Sequence, residues 1–472
     1  MKINQSAIRS EAEKIDFDWQ KFLTPDELNR MARLTGFTKR NGKQNKISGA
    51  VFMDLIVLNA DILSGQSLGD LCINLRERNG IAITSQGLDE RFNAAAVTFL
   101  KTILHRIIRN QLYKENMFST KAFKRILIKD STCFQISDKL AHKYKGCGGS
   151  GSKASMRIQF EYDLLNGEVT DLSLHAFTDQ DATNSKTTLN KIQRDDLIIR
   201  DLAYMYGDVL EGIDDIDATY LCRLGQGVQV FEQNGSEYNE LNFETLYQQM
   251  KACNQLQVEK TVYITEKKMP VRLFIYLLPQ EVVSKRLRDK NATAKRKGRP
   301  QPTQKFRIRQ HFNLVITNDL EENISLDCAY EIYRLRWQIE LIFKTWKSLC
   351  AIDKVKPVKE HRLECYVFAK LIILMMGWRI FWAFNTVFYH KNNSMLSLFK
   401  FFKHFKHQLP KISKSISSGR IMLDGVMASI NENVAFLKQN VKKEVGKMTL
   451  LNIIETFLCV QNQPQFNNRQ QA

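Results

Sequence analysis

The chain has few of the sequence features that are typical of a secreted protein or of one stabilised by zinc. Its nine cysteines, spread over 472 residues, include no close pair with the spacing of a zinc site and form no dense disulfide framework. The first residues, MKINQSAIRSEAEK, contain no apolar core of the kind that a secretory signal requires. We therefore expect reduced thiols, no structural zinc and a cytoplasmic location.

Long uncharged apolar runs are also missing. The most apolar stretch, residues 367–384, is interrupted by Lys370 and Arg379. Its uncharged segments are far shorter than the roughly 20 residues that span a bilayer. We predict a buried helix here and no membrane partner.

What the chain has in excess is positive charge. It carries 69 Lys and Arg against 50 Asp and Glu, a formal net charge of +19, and its pI is near 9.4. Such a balance favours a polyanionic partner, and nucleic acid is the first candidate, although a basic soluble protein without such a partner has the same composition. The length predicts about two to four domains.

The amino-terminal part, residues 1–115, shows helical periodicity and few strand signals. Ser67 can cap one helix, Asn79-Gly80 breaks the chain, and Thr84 or Ser85 can cap a second, longer helix that reaches His105. Two helices in this order fit a helix-turn-helix that reads DNA, and they equally fit two helices that only pack together. The sequence leaves both interpretations open.

Strand patterns begin at Arg125. The segments RILIKD, DLIIRD and ATYLCRL are apolar runs, and residues 156–177 form a hairpin pattern that turns at Asn166 and Gly167. A short helical segment lies at residues 183–193. Strands alternating with a helix predict an α/β arrangement.

Residues 219–317 continue with strand patterns and show no clear helix between them, which predicts a β-rich module. Within it, residues 285–309 hold eleven Lys and Arg and one acid, Asp289. We interpret this run as a solvated loop that can also grip DNA phosphates.

The most specific pattern is YRLRWQIELIFKTWK, in which Tyr333, Arg336, Glu340 and Lys347 lie at offsets of three, seven and fourteen. In one continuous helix these offsets fall within an arc of roughly 60°, beside an apolar face that anchors the helix. Trp337 and Lys344 flank the polar stripe, and these two side chains are further candidates for DNA contact. The plain alternative is an amphipathic helix with an ion pair between Arg336 and Glu340.

Two aspartates follow apolar runs at a distance from this helix. Asp130 follows Ile-Leu-Ile-Lys, and Asp201 follows Leu-Ile-Ile-Arg, so each is expected where a strand leaves the core. Three carboxylates without a His or Cys cluster suit Mg²⁺ or Mn²⁺ rather than zinc. Two such ions can activate a water or a 3′-hydroxyl against a phosphodiester. Tyr333, Arg336 and Lys347 could then hold a DNA phosphate.

The pattern Tyr333-x2-Arg336-x3-Glu340-x6-Lys347 resembles the Tyr-Arg-Glu-Lys motif of the insertion-sequence family-four DDE transposases and matches it at all four positions. The segment IKDST, with Asp130, is similar to the first-aspartate block of that family. RDLAY, with Asp201, is similar to the second, although it lacks the Gly of the commoner Asp-Arg-Gly-Tyr form. The resemblance covers residues 65–380 in outline.

The resemblance implies a fold and a set of partners. The fold is an α/β RNase H-like core interrupted by a β-rich insertion and flanked by helical regions. The corresponding domains are 1–115 (helical, DNA-binding), 120–218 and 319–380 (core), 219–318 (insertion with the basic loop) and 381–472 (helical, dimerisation). A dimer would pair two transposon ends and act on target DNA, close to the nucleoid. Phe312 is placed like an aromatic residue that receives a flipped base in hairpin-forming relatives.

Together these features predict a cut-and-paste DNA transposase with Asp130, Asp201 and Glu340 as ligands of two Mg²⁺ ions, which Mn²⁺ can replace. A stand-alone RNase H-like nuclease is the alternative among enzymes. A catalytically inactive DNA-binding derivative of a transposase is the alternative of another class, and the intact set of three carboxylates argues against it.

Overall fold

The computed structural model describes residues 23–38, 46–60, 62–110, 112, 115–148, 151–417, 423–439 and 448–458. There the chain is a mixed α/β protein, as the sequence predicts, and it divides into two compact units. Unit 1 consists of Met1–Phe118, Ser131–Thr178 and Gln338–Lys447, and unit 2 consists of Ser119–Asp130, Asp179–Trp337 and Met448–Ala472. Residues 1–22 and 459–472 of the expected terminal regions lie outside the described residues.

Unit 1 is mainly helical. Its helices are α1 (Pro25–Leu34), α2 (Gly49–Ile56), α3 (Leu68–Asn79), α4 (Ser85–Asp89), α5 (Ala94–Arg109), most of α12 (Trp337–Cys350), α13 (Glu360–Asn392), α14 (Leu398–Ser417) and α15 (Leu423–Leu437). It also contains the end of strand β1 (Arg125–Gln135) and the hairpin of β2 (Ser155–Asp163) and β3 (Val169–Ala176), which turns at Asn166 and Gly167 as predicted.

The predicted pair of amino-terminal helices is partly confirmed. Ser67 caps α3 in a reciprocal capping box with Asp70, and Gly80 ends this helix in the left-handed conformation that glycine tolerates best. Thr84 caps the next helix, but that helix, α4, is short, and a new cap at Asn93 starts α5. The prediction of one long second helix was therefore wrong, because Asn93 competes for the backbone N–H groups of residues within it.

Helix α13 is the centre of unit 1. It is the one helix of the described residues that is long and apolar enough to cross a membrane, and its most apolar window is completely buried. The predicted buried helix is thus confirmed. Trp378 packs edge-on against Phe160 and Tyr162 of β2, with ring centroids 5.6 and 5.2 Å apart. These contacts join the helix to the hairpin within unit 1.

Unit 2 contains the remaining strands and a sequence of shorter helices. Its strands are the first part of β1, β4 (Asp196–Arg200), β5 (Thr219–Arg223), β6 (Phe231–Asn234), β7 (Glu237–Glu240), β8 (Gln257–Ile264), β9 (Met269–Leu277) and β10 (Phe312–Thr317). Its helices are α6 (Asp181–Thr187), α7 (Gly207–Asp214), α8 (Phe243–Ala252), α9 (Gln280–Arg296), α10 (Gln304–Arg309), α11 (Leu326–Arg334) and α16 (Leu450–Ile453).

The strands of unit 2 follow the order β1-β4-β5-β10-β9-β8-β6-β7. β1 and β5 both pair in parallel with β4, whereas β10 runs antiparallel to β5 and β9. Parallel β1, β4 and β5 therefore present their carboxyl ends at one edge. A continuous apolar core, which includes Leu127, Ile198 and Ile316, packs under these strands.

The structure corrects the prediction for residues 219–317, since helices α8, α9 and α10 lie between the strands there. The basic run at 285–309 is mostly helical and not a loop, because α9 and α10 contain most of it. A solvent-exposed helix can carry a high density of Lys and Arg. In α9 the buried residues are Val283 and Ala294, so its sequence shows little of the apolar periodicity that indicates a helix.

Candidate active site

Asp130 and Asp201 lie at the same end of two neighbouring parallel strands of unit 2. Residues 125–129 of β1 pair with residues 196–200 of β4, and each aspartate follows directly after its paired segment. Asp201 leaves the sheet, as predicted, and precedes a short 3₁₀ turn. Asp130 does not end its strand, because β1 continues to Gln135. The predicted strand end was therefore wrong for Asp130, but the parallel pairing with β4 ends at the residue before it, Lys129.

The two residues that precede these aspartates are buried cations. Lys129 and Arg200 are both fully buried and are paired in register. Lys129 donates to the Thr188 hydroxyl at 3.0 Å, and Arg200 donates to that of Ser185 at 2.5 Å. Because successive strand residues point to opposite faces, this arrangement directs the Asp130 side chain away from these cations.

Arg336 is already engaged with a predicted metal ligand. Its guanidinium donates to the Asp130 carboxylate at 3.1 Å, and the two side chains are 17% and 22% exposed. A half-buried charge-assisted hydrogen bond of this kind orients the carboxylate and offsets part of its charge. Arg336 therefore positions Asp130, a role that the sequence did not indicate.

Tyr333 lies beside this pair with an unused hydrogen-bonding group. The residue is only 6% exposed, and its hydroxyl has no hydrogen-bond partner among the residues that the structure describes. Burial raises the pKa of this phenol well above its usual range, an effect that Asp201 strengthens and that the charges of Arg336 and Arg223 oppose. The hydroxyl consequently stays protonated near neutral pH and can donate to an anionic ligand oxygen.

The single helix predicted for the Tyr-Arg-Glu-Lys pattern is interrupted. Helix α11 ends at Arg334 and α12 begins at Trp337. In the turn between them, Leu335 and Arg336 donate to carbonyls three residues back instead of four. The prediction of one continuous helix was therefore wrong, because a tightened turn changes the rotation per residue. The shared face of the four motif residues stays a prediction.

The other motif residues lie on α12. Glu340, Lys344 and Lys347 belong to unit 1, where Glu340 is in the first turn of the helix and is half-buried. Lys347 is half-buried and Lys344 exposed. The opposite face is anchored within unit 1 by Trp346, whose ring lies 4.8 Å from that of Phe160. Trp337, in unit 2, is 56% exposed.

Asp201 opens onto a cleft of about 1010 Å³ in unit 2. Tyr206, Arg223, Gly225 and Thr265 are among the residues that line it. The neighbouring Cys222 is fully buried, and burial, with a contribution from Asp201, raises the pKa of its thiol. It therefore stays a neutral thiol at physiological pH.

Two further cations of unit 2 were not predicted as site residues. Arg223, at the end of β5, and Arg286, on α9, both donate to the side-chain oxygen of Asn313. The only sequence signal for Arg286 was its membership of the basic run at 285–309. Their neighbour Phe312, predicted to contact DNA, is 1% exposed and packs against Phe243 and Tyr247. Its burial gives no support to that role, which stays a prediction.

One other group of acids in the described residues could hold a cation by distance alone. Glu360, His361 and Glu364, in unit 1, lie close together. Lys143 bridges Glu360 and Glu364 at 2.8 and 2.7 Å, and Tyr144 donates to Glu364 at 2.5 Å. These contacts neutralise the acids, and we interpret the group as a structural ion-pair network.

Comparison with known proteins places this geometry in context. Residues 121–376 match the family described as "Transposase DDE domain". The chain is 28% identical to the transposase for insertion sequence element IS231C of Bacillus thuringiensis subsp. berliner, over 95% of this chain and 96% of that protein. It is 30% identical to the IS231B transposase of the same organism, over 84% and 85%.

A further relative also matches the chain over nearly the full length of both proteins. The transposase for insertion sequence element IS1151 of Clostridium perfringens is 26% identical over 92% of this chain and 95% of that protein. Among solved structures, the chain is similar to the piggyBac transposase synaptic complex with hairpin DNA. That likeness has a TM-score of 0.42 and 10% identity, and covers 97% of this chain and 91% of the other.

Proposed function

This chain belongs to the DDE transposase family and is a DNA transposase of an insertion sequence, and from that premise we propose how its residues carry out the reaction. Asp130, Asp201 and Glu340 hold two Mg²⁺ ions, which Mn²⁺ can replace, for hydrolysis at the transposon ends and for strand transfer into target DNA. The observation that carries the proposal is that Asp130 and Asp201 each follow directly after the segments of β1 and β4 that pair in parallel.

The donor atoms fit a hard divalent cation. Asp130, Asp201 and Glu340 all offer carboxylate oxygens. Oxygen donors without thiolate favour Mg²⁺ or Mn²⁺ over zinc. Bound there, such ions supply Lewis-acid stabilisation and a water or 3′-hydroxyl of lowered pKa.

The chain's own groups orient the substrate around those ligands. Arg336 fixes one oxygen of Asp130, so that the carboxylate keeps one orientation before DNA binds. The unpartnered, protonated hydroxyl of Tyr333 donates to a non-bridging phosphate oxygen. Lys347, Lys344 and Trp337 contact the DNA from α12. A buried donor without a partner becomes satisfied only when the phosphate arrives, which favours the bound state.

We propose the remaining arrangement from the family. An RNase H-like core at 120–218 and 319–380 holds the ligands, and 219–318 is an insertion. Residues 1–115 read the transposon ends, and 381–472 contribute to a homodimer that pairs two ends. The protein acts on double-stranded DNA in the cytoplasm, at the nucleoid. Its net charge of +19 supports binding to the phosphate backbone.

The test uses the purified full-length chain and a duplex that carries the element's own terminal repeats, with Mg²⁺. Asp130→Asn, Asp201→Asn and Glu340→Gln should each lower the cleavage rate by roughly a thousandfold or more, while binding to the duplex persists. Glu331→Gln, which changes a surface acid of α11 paired with Arg334, is the matched control and should cleave normally. Normal cleavage by any of the three variants would contradict the ligand assignment.

A further inference from the structure

A second basic centre lies beside Tyr333 in unit 2, where two guanidinium groups meet at one neutral acceptor. Arg223 donates to Asn313 Oδ1 at 3.0 Å, and Arg286 donates to the same atom at 2.8 Å. Arg286 also approaches the backbone carbonyl of Phe312 at 3.4 Å. Asn313 is 6% exposed, so the amide that holds both cations is fixed in the protein interior.

The strand register explains how the pair forms. Arg223 on β5 lies opposite Val315 on β10, and Asn313 is two residues before Val315 on the same face. Diagonal neighbours across a strand pair are within reach of long side chains. Arg286 reaches the same amide from α9. Three separate elements therefore converge on the pair.

The charges of this pair are not balanced by the protein. In the part of the chain that the structure describes, neither Arg223 nor Arg286 forms an ion pair with a carboxylate. Partial burial lowers the pKa of Arg286, and the positive charge of Arg223 lowers it further, whereas Tyr330 has the opposite effect. By contrast, Arg272 in the same unit pairs with Glu259 and Asp319. Half-buried cations that lack a counterion favour an anionic ligand.

The unused donors suit a phosphate. A guanidinium carries five N–H donors, and the contacts described take only one from Arg223 and two from Arg286. Planar guanidinium groups bind phosphate oxygens through pairs of parallel hydrogen bonds. Arg223 also lines the cleft onto which Asp201 opens, and its charge acts on the Tyr333 phenol. A phosphate held here is therefore next to the proposed reaction centre.

We propose that Arg223 and Arg286, held by Asn313, form a binding site for one backbone phosphate of the DNA strand that enters the cleft beside Asp201. The proposal rests on the proposed function and adds a residue of α9 to it. Arg286 is a positioning residue: it fixes the strand without touching the reacting atoms. Loss of either cation removes a point contact, whereas the rest of the DNA interface remains.

The test locates that contact by phosphate neutralisation. End duplexes that each carry one methylphosphonate at successive positions near the cleavage point are bound to the wild-type chain and to Arg286→Gln. We expect one position at which neutralisation weakens wild-type binding by about tenfold. Arg286→Gln should bind the unmodified duplex about tenfold more weakly and show a clearly smaller loss at that position, because only Arg223 remains there. Arg286→Lys keeps the charge but not the planar set of N–H donors. Its affinity for the duplex should lie between those of the wild type and Arg286→Gln.

The control is Arg194→Gln, which removes the same charge from an exposed residue at the opposite end of β4 from Asp201. This variant should show the same loss of binding at the same neutralised phosphate as the wild-type chain. If Arg286→Gln retains the full wild-type loss at that position while the wild-type chain binds and cuts the duplex, this inference alone is overturned. If the wild-type chain neither binds nor cuts the duplex, the proposed function itself fails.

Discussion

Two buried cations of α13 in unit 1 differ from several polar groups near Asp130 and Asp201 in unit 2. The difference is how fully the hydrogen-bonding capacity of these groups is used within the chain. In unit 1, Lys370 is 2% exposed and its ammonium donates to the Ser64 hydroxyl and to the carbonyls of Ala351 and Lys354. Arg379, equally buried, donates to backbone carbonyls at Ile107, Ile108 and Gly167. The donors of both cations thus meet acceptors supplied by the chain.

In unit 2, three polar groups near Asp201 keep hydrogen-bonding capacity that the described part of the chain does not use. The Tyr333 hydroxyl is buried without a partner, and Arg223 and Arg286 share one neutral oxygen. Burial of such groups costs free energy that the folded protein does not recover by itself. We infer that the satisfied cations of α13, Lys370 and Arg379, stabilise the fold. The Tyr333 hydroxyl and the Arg223–Arg286 pair instead bind a ligand. The following predictions test that distinction.

The largest effect is expected where the α13 region is packed most closely. Gly167 has a φ of +71°, and a Cβ at this position would lie 2.2 Å from the ring of Trp382. Gly167→Ala should lower the free energy of unfolding by about 3–5 kcal/mol, from overpacking and left-handed backbone strain together. Chemical denaturation of the full chain measures it. Gly148→Ala, with a φ of +69° and no atom within 4 Å, should cost only about 1 kcal/mol, and equal losses would contradict the packing argument.

Removal of a satisfied buried cation should also affect stability. Lys370→Met retains the apolar stem but leaves the carbonyls of Ala351 and Lys354 without this donor. We expect a loss of about 2–4 kcal/mol in the free energy of unfolding. Binding of end DNA per folded molecule should not change. A stability equal to that of the wild type would show that satisfied groups here contribute little.

The opposite pattern is expected for Tyr333→Phe. This change removes a buried hydroxyl that has no partner, so the free energy of unfolding should stay within about 0.5 kcal/mol of the wild-type value or rise. Cleavage of end DNA should nevertheless fall by about tenfold or more, because a donor to the phosphate is lost. If Tyr333→Phe destabilises the fold and leaves cleavage intact, the hydroxyl is structural and the distinction fails.

The smallest effect concerns pH and the ion-pair network of unit 1. Lys143 lowers the pKa of the Glu360 carboxyl below its usual value, with His142 contributing and burial opposing. Its contribution to stability is therefore present above the unfolded pKa of about 4.5 and is lost as the pH falls through the lowered folded pKa. We expect less than about 1 kcal/mol, since the pair is largely exposed.

Denaturation of the wild type and Glu360→Gln between pH 3 and pH 7 measures this contribution. Their stabilities should differ at neutral pH and converge as the pH falls. A difference that stays constant over this range would show that Glu360 acts through packing and not through its charge.

Much of the fold followed from local patterns. The buried helix at 367–384, the hairpin at Gly167 and the strands before Asp130 and Asp201 were predicted because apolar periodicity and turn residues act over a few neighbouring residues. Helix α9 was missed because its charged surface carries little apolar periodicity, whereas α8 was missed although Phe243, Leu246 and Met250 lie at helical spacing. The break at Leu335 and Arg336 was missed because no Gly or Pro marks it.

The sequence by itself determined that the chain is a basic DNA-directed protein with the carboxylates and the Tyr-Arg-Glu-Lys spacing of a DDE transposase, because residue type and spacing are properties of the chain. Only the tertiary structure decided which groups share an environment. It placed Arg336 on Asp130, left the Tyr333 hydroxyl without a partner, and brought Arg223 and Arg286 to one amide. These contacts join residues far apart in the chain, and they depend on strand register and burial, which no local pattern encodes.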